Sequence, residues 1–385
     1  MNDVSPEEIG KMRTQTRRLV DDLLLHEPSF SRSNCVPAAV DQALRELGYY
    51  GMRIPEEFGG MALGMLPTVN VVRELGRLPP QFWSFLRVAL GPSSKSIVRH
   101  GSAQQQHRWL PAMAAGDCGV AFALTEAQAG SDLAAMRTRA ARTSEGYVIN
   151  GAKTYISNAD KAGLFVVFAR TAADAGLKSS ISAFLVPARQ SGMSIGPPMP
   201  TMGTTLDGLF EVAFHDCAVP AEALLGAEGQ GFQYAMESLN EGRLNVAAIA
   251  VGMGAFALDL TLEHVRTRTV GGQPLASNQV VQHMLADVAT ELHAGWTMVL
   301  DGARRIDAGE DASAISAMTK IFCSEAAGRA ADTAVQLFGA AGYTRGFQVE
   351  RIYRDVRVLR IYEGASEVLR NAVAKKLLAQ GSEAL

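Results

Sequence analysis

Three textures of apolar and polar residues follow one another along the chain. From Ser5 to about Cys118 apolar residues recur at three- and four-residue spacing, as in Ala38 to Leu47 and Gln104 to Ala114, the period of helices with one buried face. Ser5, Pro6, Glu7 and Glu8 form a helix start, with a capping hydroxyl, proline at the first helical position and acids in the first turn. From Gly119 to about Leu225 the pattern changes to short runs rich in Val, Ile, Phe and Tyr, beginning at Val120, Tyr147, Thr154, Leu164, Ile181 and Phe210. Turn residues such as Asn150-Gly151, Gly192 and Gly203 separate these runs at spacings too short for crossover helices, so an antiparallel β domain is expected. From Gly229 the helical period returns over about 230–267, 278–308, 311–339 and 363–379, which predicts a four-helix bundle. The expected fold class is α+β multidomain: an N-terminal all-helical domain over 1–118, a middle antiparallel β-barrel domain over 119–225 and a C-terminal four-helix bundle over 226–385.

Composition narrows the choice of function. The 385 residues exceed what one hydrophobic core serves, in keeping with several domains. With 36 basic against 39 acidic residues the net charge is −3, and no basic block stands out, so nucleic acid and anionic membrane are poor partners. The longest uncharged apolar run, Val246 to Leu258, has 13 residues, short of the roughly 20 that span a bilayer. The first residues mix acids and bases without an apolar stretch, which points to a cytoplasmic protein. Cys35, Cys118, Cys217 and Cys323 are widely dispersed, and His107, His264 and His283 lack a carboxylate-rich ligand set, so no metal site is expected.

Among motifs, Gly252-Met253-Gly254-Ala255-Phe256-Ala257 spells a dinucleotide fingerprint, yet it lies inside a long helical run. That fingerprint works only where a strand turns into a helix, so close helix packing is the expected role. Two other segments carry chemistry. Thr125-Glu126-Ala127-Gln128-Ala129-Gly130-Ser131-Asp132 follows an apolar strand; its hydroxyls and small residues suit either the edge of a polar cofactor or a plain turn. Tyr353-Arg354-Asp355 precedes Ile361-Tyr362-Glu363-Gly364-Ala365-Ser366. There a desolvated Glu363 would gain basicity, although, read alone, it is better explained as a helix cap.

Together these segments resemble the acyl-CoA dehydrogenases, FAD enzymes with this order of helical, β-barrel and bundle domains. The resemblance runs from Gly48 to Leu378, through Gly101 with Gln104 and Gln105, Thr125 to Asp132, Asn150 to Asn158, Gly229-x-Gly231-Phe232, Arg268 to Gln279, Gln336 to Gly339 and Ile361 to Gly364. It implies a flavin ring held by Thr125, Tyr155 and Ser157, with Ser131 near the cofactor phosphates and the pantetheine arm of the substrate. Arg268, Gln279, Gln336 and Gly339 match contacts to the ADP part of FAD in a neighbouring subunit, which implies a homotetramer built as a dimer of dimers. Arg243 matches a residue facing the CoA end, and Tyr362 and Gly364 flank the substrate.

Glu363 matches the catalytic base. The implied reaction removes a proton next to the thioester carbonyl while a hydride leaves the following carbon for flavin N5, giving a trans-2,3-enoyl-CoA. The Glu363 N–H and a ribityl hydroxyl would meet the thioester oxygen, an oxyanion device worth about 3–4 kcal/mol per donor. The electron partner implied is an electron-transferring flavoprotein. Rival readings are an enoyl-CoA reductase running the reaction backwards, a flavin monooxygenase of the same fold, and a non-catalytic flavin-binding protein.

Departures from the pattern are Ala127 for the usual proline, Tyr155 for a tryptophan, Gly271 for an aromatic, and Thr204-Thr205-Leu206-Asp207 after Met202-Gly203. Gly242 occupies the place where some relatives carry their base. The segment from Phe82 to Ile97, with Trp83, Phe85, Arg87 and Lys95, is expected either to floor the acyl pocket, hinting at a polar acyl group, or to form an ordinary packing face.

Overall fold

A computed structural model describes residues 4–33, 38–80, 92–172, 176–203 and 208–381. Helices of eight residues or more are numbered here in chain order. The N-terminal region holds α1 (Pro6–Ser33), α2 (Ala38–Glu46), α3 (Met65–Leu75), α4 (Pro92–His100) and α5 (Ala103–Ala114). The expected start of α1 is a reciprocal cap: Glu8 N donates to Ser5 Oγ at 3.3 Å and Ser5 N donates to Glu8 Oε2 at 2.9 Å. Ser102 and Gln105 cap α5 in the same way.

The middle region is one eight-stranded sheet, in the order β6-β7-β3-β2-β4-β5-β8 with β1 beside β4. Its strands are β1 (Gly119–Ala123), β2 (Arg139–Arg142), β3 (Gly146–Ser157), β4 (Ala162–Arg170), β5 (Ile181–Pro187), β6 (Met193–Ile195), β7 (Leu209–Pro220) and β8 (Leu224–Leu225). Two expectations need correcting. The sheet is mixed, because β1 runs parallel to β4, with Val120 opposite Leu164 and Ala123 opposite Val167; the β2–β3 hairpin takes the place of a crossover helix. Asn150-Gly151 is not a turn but an irregularity within the continuous strand β3, where the register against β7 shifts between Ile149 and Gly151. Gly151 has φ +144°, and a Cβ there would stand 2.6 Å from Thr138 Oγ1, so only glycine fits.

Beyond the sheet come α6 (Gly231–Thr267), a small hairpin β9 (Thr269–Val270) and β10 (Gln273–Pro274), α7 (Gln279–Asp307), α8 (Ser313–Phe338), α9 (Gln348–Val356) and α10 (Ser366–Gln380). The four long stretches correspond to α6, α7, α8 and α10; α9 was not expected. Its Val349, Ile352 and Val356 are buried, but Glu350, Arg351, Arg354 and Asp355 dilute the apolar signal over nine residues.

The 37-residue α6 is long and apolar enough to cross a membrane, yet 78% of its apolar window is buried against α3, α7 and α8, as befits a core helix. Gly252 explains part of that packing, since a Cβ there would collide with the Arg73 carbonyl oxygen of α3. One at Gly254 would stand 2.6 Å from Leu292 Cδ2 of α7. The fingerprint glycines therefore serve helix contact.

Candidate active site

A cavity of about 470 Å³ opens where the sheet, α3, α6 and the segment before α10 meet. Thr125, Ser131, Tyr155 and Ser157 line it from the sheet; Gly242 and Arg243 from α6; Tyr362, Glu363 and Gly364 from the C-terminal turn; and Val72 and Leu75 from α3.

On the sheet side, Glu126 and Ala129 close a tight turn by exchanging backbone bonds of 3.1 and 3.0 Å. The Glu126 carboxylate then accepts from Arg137 N at 2.7 Å, Thr138 N at 2.9 Å and Gln128 Nε2 at 2.6 Å. The buried Lys153 adds an ion pair at 2.8 Å and donates to Leu124 O at 3.0 Å. Burial raises the Glu126 carboxyl, but the charge of Lys153 and the hydrogen bonds from Lys153, Thr138 and Arg137 outweigh it and hold the group below its ordinary value. Burial pulls the Lys153 ammonium down to about 8 against that attraction. The loop thus owes its shape to this anchor, and Ala127 in the place of proline leaves it well held. Beside it, Thr154 N donates to Thr125 O at 2.9 Å, and the β3–β7 register shifts between Lys153 and Ile156. Tyr155 sits at that bulge with φ +57° and, 60% exposed as a residue, lines the cavity wall.

On the bundle side, Glu363 adopts φ +54° and Gly364 φ +99°. A left-handed glutamate costs on the order of 1–3 kcal/mol and persists only where its surroundings enforce it. Arg243 Nε donates to Glu363 O at 3.2 Å, and its guanidinium is steadied by Asn240 Oδ1 at 2.7 Å. Lys320 Nζ, from α8, donates to Gly364 O at 2.8 Å. The Glu363 carboxylate lies over Gly242, where a Cβ would collide with its Oε2. The capping alternative for Glu363 fails: α10 starts at Ser366, with Ala365 as its N-cap residue and no side-chain cap bond.

Arg268, Gln279, Gln336 and Gly339 line no part of this cavity. They gather, all exposed, at the opposite end of the bundle. There α6 and α8 are joined by the His264–Phe338 stack at 4.1 Å. Gly271 and Gly272, with φ +59° and +80°, form the tight turn of the β9–β10 hairpin, which disfavours the aromatic common at position 271.

Phe82, Trp83, Phe85 and Arg87 lie outside the described residues, as do Thr204 to Asp207 and Cys35. Lys95 does not floor the cavity: its ammonium is 3.4 Å from Glu241, which also pairs with Arg53 at 2.8 Å and Arg99 at 2.5 Å. Glu126 and Lys153 lay in the quoted motifs without a role, and the sequence reading did not single out Lys320. A lysine amid small and apolar residues, as in Ala317-Met318-Thr319-Lys320-Ile321-Phe322-Cys323, was the available signal for the last.

Models of the acyl-CoA dehydrogenase N-terminal, middle and C-terminal domains match residues 6–117, 121–217 and 229–378. The chain belongs to the acyl-CoA dehydrogenase family, and it is an FAD-dependent oxidoreductase acting on acyl-CoA. It is 38% identical over 350 residues to an acryloyl-CoA reductase (NADH) of Anaerotignum propionicum, covering 90% of this chain and 88% of that one. It is 35% identical over 365 residues to an acyl-CoA dehydrogenase of Bacillus subtilis, covering 91% and 95%. Butyryl-CoA dehydrogenase from Megasphaera elsdenii superposes with a TM-score of 0.92 at 29% identity, covering 98% of this chain and 100% of that chain. The cavity suits the cofactor: the half-exposed Tyr155 beside the Thr125 and Ser157 hydroxyls fits a flat heteroaromatic ring with polar edges.

Proposed function

We propose that the protein oxidises an acyl-CoA thioester to the trans-2,3-enoyl-CoA, with Glu363 as the base that removes the α-proton. The observation that carries this reading is the Glu363 carboxylate held in the cavity over Gly242 by a strained turn. FAD, when bound, supplies the acceptor for the hydride lost from the β-carbon. Thr125, Tyr155 and Ser157 hold the ring of that cofactor, and Ser131 stands toward its phosphates and the pantetheine arm. Tyr362 and Gly364 flank the thioester, Arg243 faces the CoA end while its Nε fixes the turn, and the Glu363 N–H polarises the thioester oxygen. Val72 and Leu75 meet the acyl tail and keep water from the carboxylate.

Arg268, Gln279, Gln336 and Gly339 take the ADP part of FAD from a second subunit, in a homotetramer. Their position at the bundle end, near the exposed Val270, Val280 and Tyr343, supports this. An electron-transferring flavoprotein reoxidises the cofactor, and the enzyme works in the cytoplasm, in keeping with the buried free thiols of Cys118, Cys217 and Cys323.

The likeness to an acryloyl-CoA reductase favours one second reading, reduction of an enoyl-CoA by the same residues. Anaerobic titration of the yellow holoenzyme with a panel of saturated acyl-CoA thioesters separates the two. Bleaching of the flavin by a saturated thioester supports dehydrogenation; an indifferent flavin that enoyl-CoA reoxidises after reduction supports the reductase. Colourless protein without bound FAD would remove both.

A further inference from the structure

Helix α8 packs through small residues, yet it carries Lys320 with none of its surface exposed. Burying an ammonium is costly, and a space-filling apolar side chain would avoid that cost. The position of the ammonium accounts for its presence. Lys320 Nζ holds the Gly364 carbonyl at 2.8 Å, while Arg243 Nε, from α6, holds the preceding carbonyl of Glu363 at 3.2 Å. Two successive carbonyls are thus gripped by cations from two different helices, that of the left-handed residue bearing the carboxylate and that of the glycine after it.

The charges that act on Lys320 come from every element around it: Glu363 from the turn, Arg243 from α6, Glu367 from α10 and Glu325 from α8 itself. Glu325 is engaged by Arg370 at 2.6 Å. Burial pulls Lys320 down to about 8, and Glu363 is the strongest group opposing that fall.

We propose that Lys320 is a positioning residue for the dehydrogenation: it fixes the Gly364 carbonyl, locks Glu363 in its left-handed conformation and sets a positive charge near that residue. This rests on Glu363 being the base. Removing the ammonium frees the turn and takes a positive charge from beside a carboxylate in an apolar cavity, so the carboxylate holds its proton to higher pH.

The test uses FAD-loaded Lys320→Met and Lys320→Gln enzymes beside wild type and Glu363→Gln. Lys320→Met is expected to keep FAD and to reduce it about 30-fold more slowly with saturating acyl-CoA, a loss typical of a misplaced reacting group. Substrate affinity should change less than about threefold, and the acidic limb of the rate should rise by about one pH unit. Lys320→Gln retains a donor for Gly364 without the charge; it is expected to recover most of the rate at high pH while keeping the displaced limb. A readout free of turnover is the carbon-13 signal of Glu363 in glutamate-labelled substrate-free enzyme, assigned by its disappearance in Glu363→Gln; it should titrate higher in both lysine variants. An unmoved signal and limb in either variant overturns the proposal. Loss of FAD and fold from both also overturns it, placing Lys320 in the core. If Glu363→Gln reduces flavin at the wild-type rate, the base assignment fails whatever the lysine variants do; if it is inactive while the lysine variants behave as wild type, only the role of Lys320 fails.

Discussion

Two glutamates approach the same cavity on two loops and are put to opposite uses. Glu126, on the sheet side, commits its carboxylate to architecture, taking two backbone N–H groups, a side-chain amide and the buried Lys153. Glu363, on the bundle side, has its backbone gripped instead: cations take the carbonyls of Glu363 and Gly364, and the carboxylate projects into the cavity. Both loops pair a glutamate with a buried lysine. What differs is which part of the glutamate the neighbouring cations engage, and that decides whether the carboxylate is spent on the chain or left at the cavity.

The sharpest way to break this contrast is Glu363→Gln, expected to lower flavin reduction by acyl-CoA roughly 10³–10⁴-fold while the FAD content measured by absorbance stays at the wild-type level. Lys153→Met addresses the other loop: it leaves Glu126 charged and buried, and calorimetry should register a loss of about 3 kcal/mol. An undiminished melting temperature there would deny Glu126 its architectural part. Gly242→Ala places a methyl group against Glu363 Oε2; stopped-flow reduction should slow about 100-fold, with bound FAD retained. The smallest change lies outside both loops. Arg268→Ala should weaken FAD retention by about 1.5 kcal/mol, and sedimentation should show subunit association falling with it; full cofactor content would separate the bundle end from the FAD site.

The bundle was legible because α6, α7 and α8 run over 37, 29 and 26 residues, apolar stretches too long for strands. The sheet was legible in β1, β3, β4, β5 and β7, with β3 read as two runs, but not in the short β2, β6 and β8 nor in its pairing. Gly119 and Ala162 meet across 43 positions of chain, and nothing local records that choice. Asn150-Gly151 misled because an irregularity and a hairpin ask for the same residues, small and tolerant of positive φ. Within the site, Thr125, Tyr155 and Glu363 drew roles from their motifs, whereas Lys153 lay in the Tyr155 motif without one and Lys320 lay in none. A lysine reads as a surface residue until the fold closes over it.

Gly252 brings α6 against the Arg73 carbonyl, and a Cβ on Gly76 would stand 2.7 Å from the Ile249 carbonyl. Val72 and Leu75 on one helix and Val246 and Ile249 on the other line the cavity together. Backbones in such contact leave no seam to open, so these helices behave as one solid block. Among the described residues, any change in the width of the cavity therefore falls to the sheet and its loops rather than to a parting of these two helices.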